Sequence, residues 1–177
     1  LTGPYRESNL ADLVRRILDN PEPGQTRIVD YAAYTPSYER PAAFLGAPLH
    51  HEGRLVGVAV LQAPTAEIDL IMTDPSGLGE TGESFLVGAD LRMRSSSRFD
   101  TEPSILERVV DTEASRRAIA GQAGLVSATG YRDVDVLSAY APVHIEGLDW
   151  GIVTEISRDE IAAAPRAVRD RMLVFGL

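Results

Sequence analysis

The chain has 177 residues, 44% of them hydrophobic, and a net charge of −9 from 26 acidic and 17 basic residues; every basic residue is an arginine. That length can bury one ordinary core or two small ones, and an acidic surface without a basic stripe argues against nucleic acid as a partner. With no cysteine, a disulfide scaffold and a thiolate metal site are excluded. In chain order, Leu1–Tyr5 reads as the end of a strand, with Gly3-Pro4 as a turn. Ser8 or Asn9 caps a helix whose Leu10, Leu13, Val14, Ile17 and Leu18 make one apolar stripe. Pro21, Pro23 and Gly24 end it. Arg27–Tyr34 reads as a strand, and 35–41 as a loop. Phe44–His50 and Arg54–Gln62 read as a hairpin around His51-Glu52-Gly53, and Thr65 caps a short helix over 66–73.

Asp74-Pro75-Ser76-Gly77 marks a boundary between modules. Beyond it, Gly79–Val87 and Leu91–Ser97 are expected as two strands around Gly88-Ala89-Asp90. Ile105–Ala120 is expected to be partly helical, most clearly after Thr112. Leu125–Tyr131, Val136–Ile145 and Asp149–Ile156 then form a meander. Ser157 and Glu160 have the spacing of a capping box. The helix it opens places Ile161, Ala164, Val168 and Met172 on one face, with Pro165 as a kink. No apolar run approaches the roughly 18–20 residues of a membrane span. The start at Leu1 without a methionine suggests an excised piece, and the apolar ending 172–177 reads either as an approach to a membrane helix or as a plain helix end.

The chain repeats itself. Residues 47–58 and 141–152 align without a gap, an offset of 94 (141 against 47). Ala47/Ala141, Pro48/Pro142, His50/His144, Glu52/Glu146, Gly53/Gly147 and Gly57/Gly151 are identical, and each copy is followed by a Glu-Ile pair, Glu67-Ile68 and Glu160-Ile161. The offset is too long for a solenoid. It fits two tandem modules, each a small antiparallel sheet with a closing hairpin, an exit helix and flanking helices, an α+β architecture.

Few motifs point to chemistry. Gly77-Leu-Gly79-Glu-Thr-Gly82 matches a dinucleotide fingerprint, but it leads into a strand where that fingerprint must open a helix; the glycines are read as shaping the linker, and no cofactor is expected. His50 and His144 sit before equivalent turns in different modules, which suits exposed hairpin residues better than converging metal ligands. No nucleophile elbow is present, so no catalytic residue is nominated. Two clusters suit ligand binding. Asp30, Tyr31, Tyr34, Tyr38 and Phe44 combine rigid rings with polar tips, the alternative being core and rim packing. Arg92, Arg94 and Arg98 share one face if their strand runs far enough, and with Tyr131 and Tyr140 they could take a carboxylate; the alternative is pairing with local acids.

These segments resemble a known family. Thr2-Gly-Pro-Tyr-Arg-Glu-Ser-Asn-Leu10, Gly77-Leu-Gly-Glu-Thr-Gly-Glu-Ser-Phe-Leu-Val-Gly88, Met93-Arg-Ser-Ser-Ser-Arg-Phe99 and Leu137-Ser-Ala-Tyr-Ala-Pro-Val143 followed by Trp150 are similar to the double Cache sensor domains of bacterial transmembrane receptors. The resemblance implies two PAS-like modules, a membrane-distal one at 1–74 that is N-terminally incomplete and a proximal one at 75–157, followed by a helix at 158–177 leading toward a membrane span. It implies an extracytoplasmic ligand sensor between two transmembrane helices, homodimeric in the full receptor, with a chemotaxis, kinase or cyclase output elsewhere. Ligands of the family commonly sit in the distal module, in a pattern of Tyr, Arg, Trp and Asp. Here Asp30, Tyr31 and Tyr34 are present, and the module has no Trp. The expected ligand is a small molecule, with a carboxylate or amino acid as the candidates. The rival readings are a dimerisation and relay module without a ligand, and a small hydrolase.

Overall fold

The Ser8 hydroxyl accepts from the Ala11 amide and starts helix α1, Asn9–Asp19. Its apolar stripe buries Leu13 and Ile17 completely. The computed structural model describes Gly3 and residues 5–163. The reading of Leu1–Tyr5 as a strand end falls partly outside these residues; those from Tyr5 to Arg6 form a turn. The helical face beyond Ala163 and the kink at Pro165 lie outside the described residues. Among the described residues no helix is long and apolar enough to cross a membrane.

The chain divides into two compact units. The first runs to Ile68 and also takes in His144–Asp149; the second comprises Asp69–Val143 and the residues from Trp150. In the first, β1 (Arg27–Tyr34), β2 (Arg40–His51) and β3 (Arg54–Ala63) form an antiparallel sheet in that order. A short 3-10 turn, Thr35–Ser37, joins β1 to β2. Leu13 and Ile17 pack with Val29, Ala42 and Phe44. The approach of α1 is so close at Gly46 that a Cβ there would lie 2.8 Å from Ile17 Cδ1. Asn9 pins the helix start to the sheet, donating to the Asp30 and Ala42 carbonyls at 2.9 and 2.7 Å. Helix α2, Thr65–Met72, follows β3, and the division between units falls within it.

The second unit holds a sheet ordered β4-β7-β6-β5, made of Glu83–Gly88, Leu148–Ser157, Asp135–Ile145 and Gly124–Thr129, apart from the β6–β7 tip at His144–Asp149 that counts with the first. Helix α3, Glu113–Ile119, is capped by Thr112, whose hydroxyl accepts from the Ser115 amide. It covers a core of Phe85, Val87, Met93, Val110, Tyr140 and Val153. Residues 158–163 begin the helix that leaves β7.

The α+β class, both hairpins, the helix after Thr112 and the meander 124–157 match the sequence reading. The strand expected over 91–97 does not form. Its strand-like pairing is limited to isolated bridges, Val87 to Met93 and Arg92 to Val109. The cause is local: Leu91 takes a left-handed φ of 58°, and Ser95 Oγ accepts from the Leu86 amide at 3.0 Å where a ladder carbonyl would otherwise do so. Side-chain hydroxyls here displace regular pairing.

The capping box is also only half made. Ser157 Oγ accepts from the Asp159 amide at 3.2 Å, but Glu160 turns away and accepts from the Glu80 and Thr81 amides, both at 2.9 Å. The Ser157 amide donates instead to Thr81 Oγ1 at 3.1 Å. Gly79 makes this possible. It has a φ of 66°, and a Cβ there would sit 2.1 Å from Glu160 Oε1. The glycine-rich loop thus cradles an anion, and the anion is the chain's own carboxylate.

Candidate functional site

Two groups of residues have chemistry to offer, one in each unit. In the first unit β1 carries a bulge. Val29 pairs with Phe44 and Ala32 with Ala42, so Asp30 and Tyr31 together face Ala43. Bulges re-aim side chains and recur beside functional sites. Asp30 Oδ1 accepts from the Tyr31 amide at 2.6 Å, and the Tyr31 ring is 5% exposed. The other candidates are placed differently. Phe44 is core beneath α1, and Tyr34 meets its ring edge-on with centroids 5.0 Å apart. Tyr38 is 91% exposed with a left-handed φ of 56°. The structure therefore brings Asp30 and Tyr31 together, assigns Tyr34 and Phe44 to packing, and leaves Tyr38 in solvent.

In the second unit the three arginines do not share a face. Arg92 donates to the Leu106 and Glu107 carbonyls. Arg94 is buried, lies over Gly88, and pairs with Asp90 at 2.9 Å. Arg98 donates to the Gly79 and Glu80 carbonyls. Each is engaged with backbone or a local acid. Tyr140 belongs to the core, its hydroxyl accepting from Arg117 at 3.1 Å.

Tyr131 leads to a constellation that the sequence reading missed. Its ring meets Phe85 edge-on at 5.5 Å, and its hydroxyl donates to Glu83 Oε1 at 2.5 Å. Ser97 donates to Glu83 Oε2 at 2.8 Å, and Arg132 Nε lies 3.4 Å from Glu83 Oε1. Glu83 is fully buried and pairs directly across the ladder with Glu155, which is 1% exposed. Neither oxygen of Glu155 has a hydrogen-bond partner. Burial first, and then the charge of Glu83, push the Glu155 carboxyl from its ordinary 4.5 up to about 7, with Arg132 pulling the other way. Burial and the bond to Glu83 push the Tyr131 phenol up as well. A signal for this pair was present in the sequence. Glu83 shares its alternation phase with Phe85 and Val87, and Glu155 with Val153, so both carboxylates fall on the inward side of apolar strands.

Arg108 forks onto Asp100 through Nε at 3.0 Å and Nη2 at 2.6 Å. Burial works to raise the Asp100 carboxyl, but Arg108 and Ser104 outweigh it and hold it below its ordinary value. The Thr81 hydroxyl, followed by the Glu80 and Thr81 amides, lowers Glu160. An open groove of about 470 Å³ flanks the start of the departing helix, lined by Thr129, Asp133, Val134, Asp135, Arg158, Asp159 and Ala162. His144 counts with the first unit, as His50 does. Among the described residues no three His, Asp or Glu side chains converge as a metal site.

No family model and no curated protein matches the sequence. Solved structures match the fold. The extracellular domain assigned to the histidine kinase mmHK1S-Z3 is 17% identical with a TM-score of 0.65, over 92% of this chain and 58% of that one. The periplasmic sensory domain of the Campylobacter jejuni chemoreceptor Tlp1 is 16% identical with a TM-score of 0.64, over 89% and 58%. The ligand-binding domain of the Pseudomonas aeruginosa amino-acid chemoreceptor PctB, in complex with L-Arg, is 18% identical with a TM-score of 0.59, over 96% and 62%. The chain thus has the fold of these extracytoplasmic sensory domains, and it spans about 60% of the length of these structures.

Proposed function

We propose that the chain is the ligand-sensing part of a bacterial transmembrane signalling receptor, lying outside the cytoplasm and without catalytic activity of its own. The observation that carries this reading is the fold likeness over nine-tenths of the chain to sensory domains. The ligand is a small amine or amino acid. The β1 bulge of the first unit supports this chemistry, because it sets a carboxylate, the group that pairs with an ammonium, next to Tyr31. Arg92, Arg94 and Arg98, the rival site, do not share one face. Binding is passed to an output domain through β7 and the helix that follows Ser157, in a receptor that works as a homodimer. Transmission requires the ligand to bind one position of that helix better than another.

A thermal-shift screen against L-arginine, other amino acids, GABA and short carboxylates tests the reading. A ligand at 100 times its Kd stabilises by about 2.7 kcal/mol, a rise of roughly 5–10 °C for a domain of this size. Asp30→Ala is expected to abolish the shift and leave the unliganded melting curve in place. An unchanged affinity in Asp30→Ala refutes the site, and a screen without any hit favours a relay module that has no ligand of its own.

A further inference from the structure

Ligand binding in the first unit gives the buried carboxyls of the second unit nothing to do. Both oxygens of Glu83 are engaged: Tyr131 and Ser97 donate to them, and the Arg132 guanidinium lies 3.4 Å from Oε1. Glu155 is built to be neutral. It stands directly opposite Glu83 in the β4–β7 ladder, where facing side chains lie about 5 Å apart. Its oxygens meet no donor, and they lie against Gly130, where a Cβ would be 2.9 Å from Oε1. Two like charges cannot both be held cheaply at such a place.

We propose that the Glu83–Glu155 pair is a proton-binding site whose occupancy is passed along β7 to the helix that opens at residue 158. The inference does not depend on the first unit binding a ligand. The charged and titratable groups around Glu155 are few. β4 contributes Glu83, and the β5–β6 turn contributes Tyr131 and Arg132. The 100–108 segment contributes Arg108, whose guanidinium is 5.9 Å from the Tyr131 ring centroid and is already forked onto Asp100. From β6 the uncharged Val136 lies against the same Gly130. Arg132 is the one cation drawing Glu155 toward ionisation, and it is shared with Glu83.

With the proton on, Glu155 is a neutral acid beside one compensated carboxylate. With the proton off, two buried negative charges share one cation, and the β4–β7 pair must admit water or shift. Two residues further on, the Ser157 amide bonds to Thr81 Oγ1, and Thr81 is held by Glu160. A shift of β7 at Glu155 therefore reaches the departing helix within one clasp. Burial and the neighbouring charge raise Glu155 to about 7, which puts the change in the range of external pH.

Carboxyl and amide NMR of the chain, labelled in its glutamates and recorded from pH 4 to 9, tests both halves. We expect a Glu155 carbonyl midpoint near 7, with the Thr81 and Ser157 amide shifts following the same midpoint. Glu155→Gln is expected to remove both titrations. Glu83→Gln is expected to move the Glu155 midpoint back toward the ordinary value, and it decides the matter if the first variant does not fold. A wild-type Glu155 midpoint at the ordinary value, or one that stays near 7 in Glu83→Gln, overturns the pair as a proton site. Thr81 and Ser157 amides that ignore the titration overturn the relay.

Discussion

Replacing Glu155 by glutamine should abolish a pH dependence of stability whose size follows from the structure. The folded carboxyl titrates at about 7 and the ordinary one at 4.5. A raised folded value means that between these two the folded state holds a proton that the unfolded chain has released. Stability therefore falls as pH rises from 4.5 to 7 and is flat above. At about 1.4 kcal/mol per pH unit, the loss is about 3 kcal/mol, a large part of the 5–15 kcal/mol that holds a typical domain together. The carboxyls held low by hydrogen bonds, Asp90 and Asp100 among them, act in the opposite sense. Their stabilisation is present above the ordinary value of 3.8 and is lost as pH falls from there through the lower folded values, so the two windows do not overlap. Trp150, the single tryptophan, is 5% exposed in the second unit and gives the signal. Urea titrations followed by its fluorescence at pH 5, 6, 7 and 8 should show the midpoint falling in the wild type and level in Glu155→Gln, with the variant the more stable at pH 8. Parallel curves for the two proteins across that range would refute the reasoning.

Phe85 is fully buried beneath α3, and Phe85→Ala should cost about 3–5 kcal/mol, read as an earlier urea midpoint of the Trp150 signal. Ser8→Ala removes the cap of α1 and should cost about 1 kcal/mol, with melting by far-ultraviolet circular dichroism as the check. Glu160→Ala frees the Glu80 and Thr81 amides. Their hydrogen exchange should quicken while that of the β6 amides is unchanged, and equal protection in both proteins would show that the clasp does not hold the loop.

Elements governed by local chemistry were legible in the sequence. The stripe of α1, the helix after Thr112 and the Glu-Gly hairpin tips need nothing beyond their own residues. The failures came where a side chain serves a distant partner. Ser95, Ser96 and Ser97 look like part of a strand, yet their hydroxyls go to Leu86, Asp69 and Glu83. Glu160 looks like the second half of a capping box, yet it reaches residues 80 positions away. The arginines looked like a ligand cradle because alternation was assumed for a segment that does not alternate. Tyr131 was singled out for a ligand, and its partner turned out to be Glu83.

The repeat shows why the two units differ in what they can hold. β3 and β7 correspond residue for residue, Arg54 with Leu148 and Ala63 with Ser157, at the same offset of 94 as the hairpin tips (148 against 54). In β7 the phase of Gly151, Val153 and Glu155 is covered by α3, so closely that a Cβ on Gly151 would be 2.6 Å from that of Ala118. The equivalent phase of β3 is Gly57, Ala59 and Leu61. Nothing lies within 4 Å of a Cβ placed on Gly57, and Leu61 is 74% exposed. In β3 it is the other phase, Val58 and Val60, that packs on the α1 core. The duplicated sheets are thus covered by helices on opposite faces. In the first unit that face is exposed along β3 at Leu61, while Ala43 on β2 is buried. On the same sheet Asp30 and Tyr31 bulge opposite Ala43, whose alternation phase is opposite to that of the α1-facing Ala42 and Phe44. The exposed part of that face, along β3, leaves room for a small ligand. A face already filled by α3 and lined by a buried acid pair suits a device that answers to the proton instead.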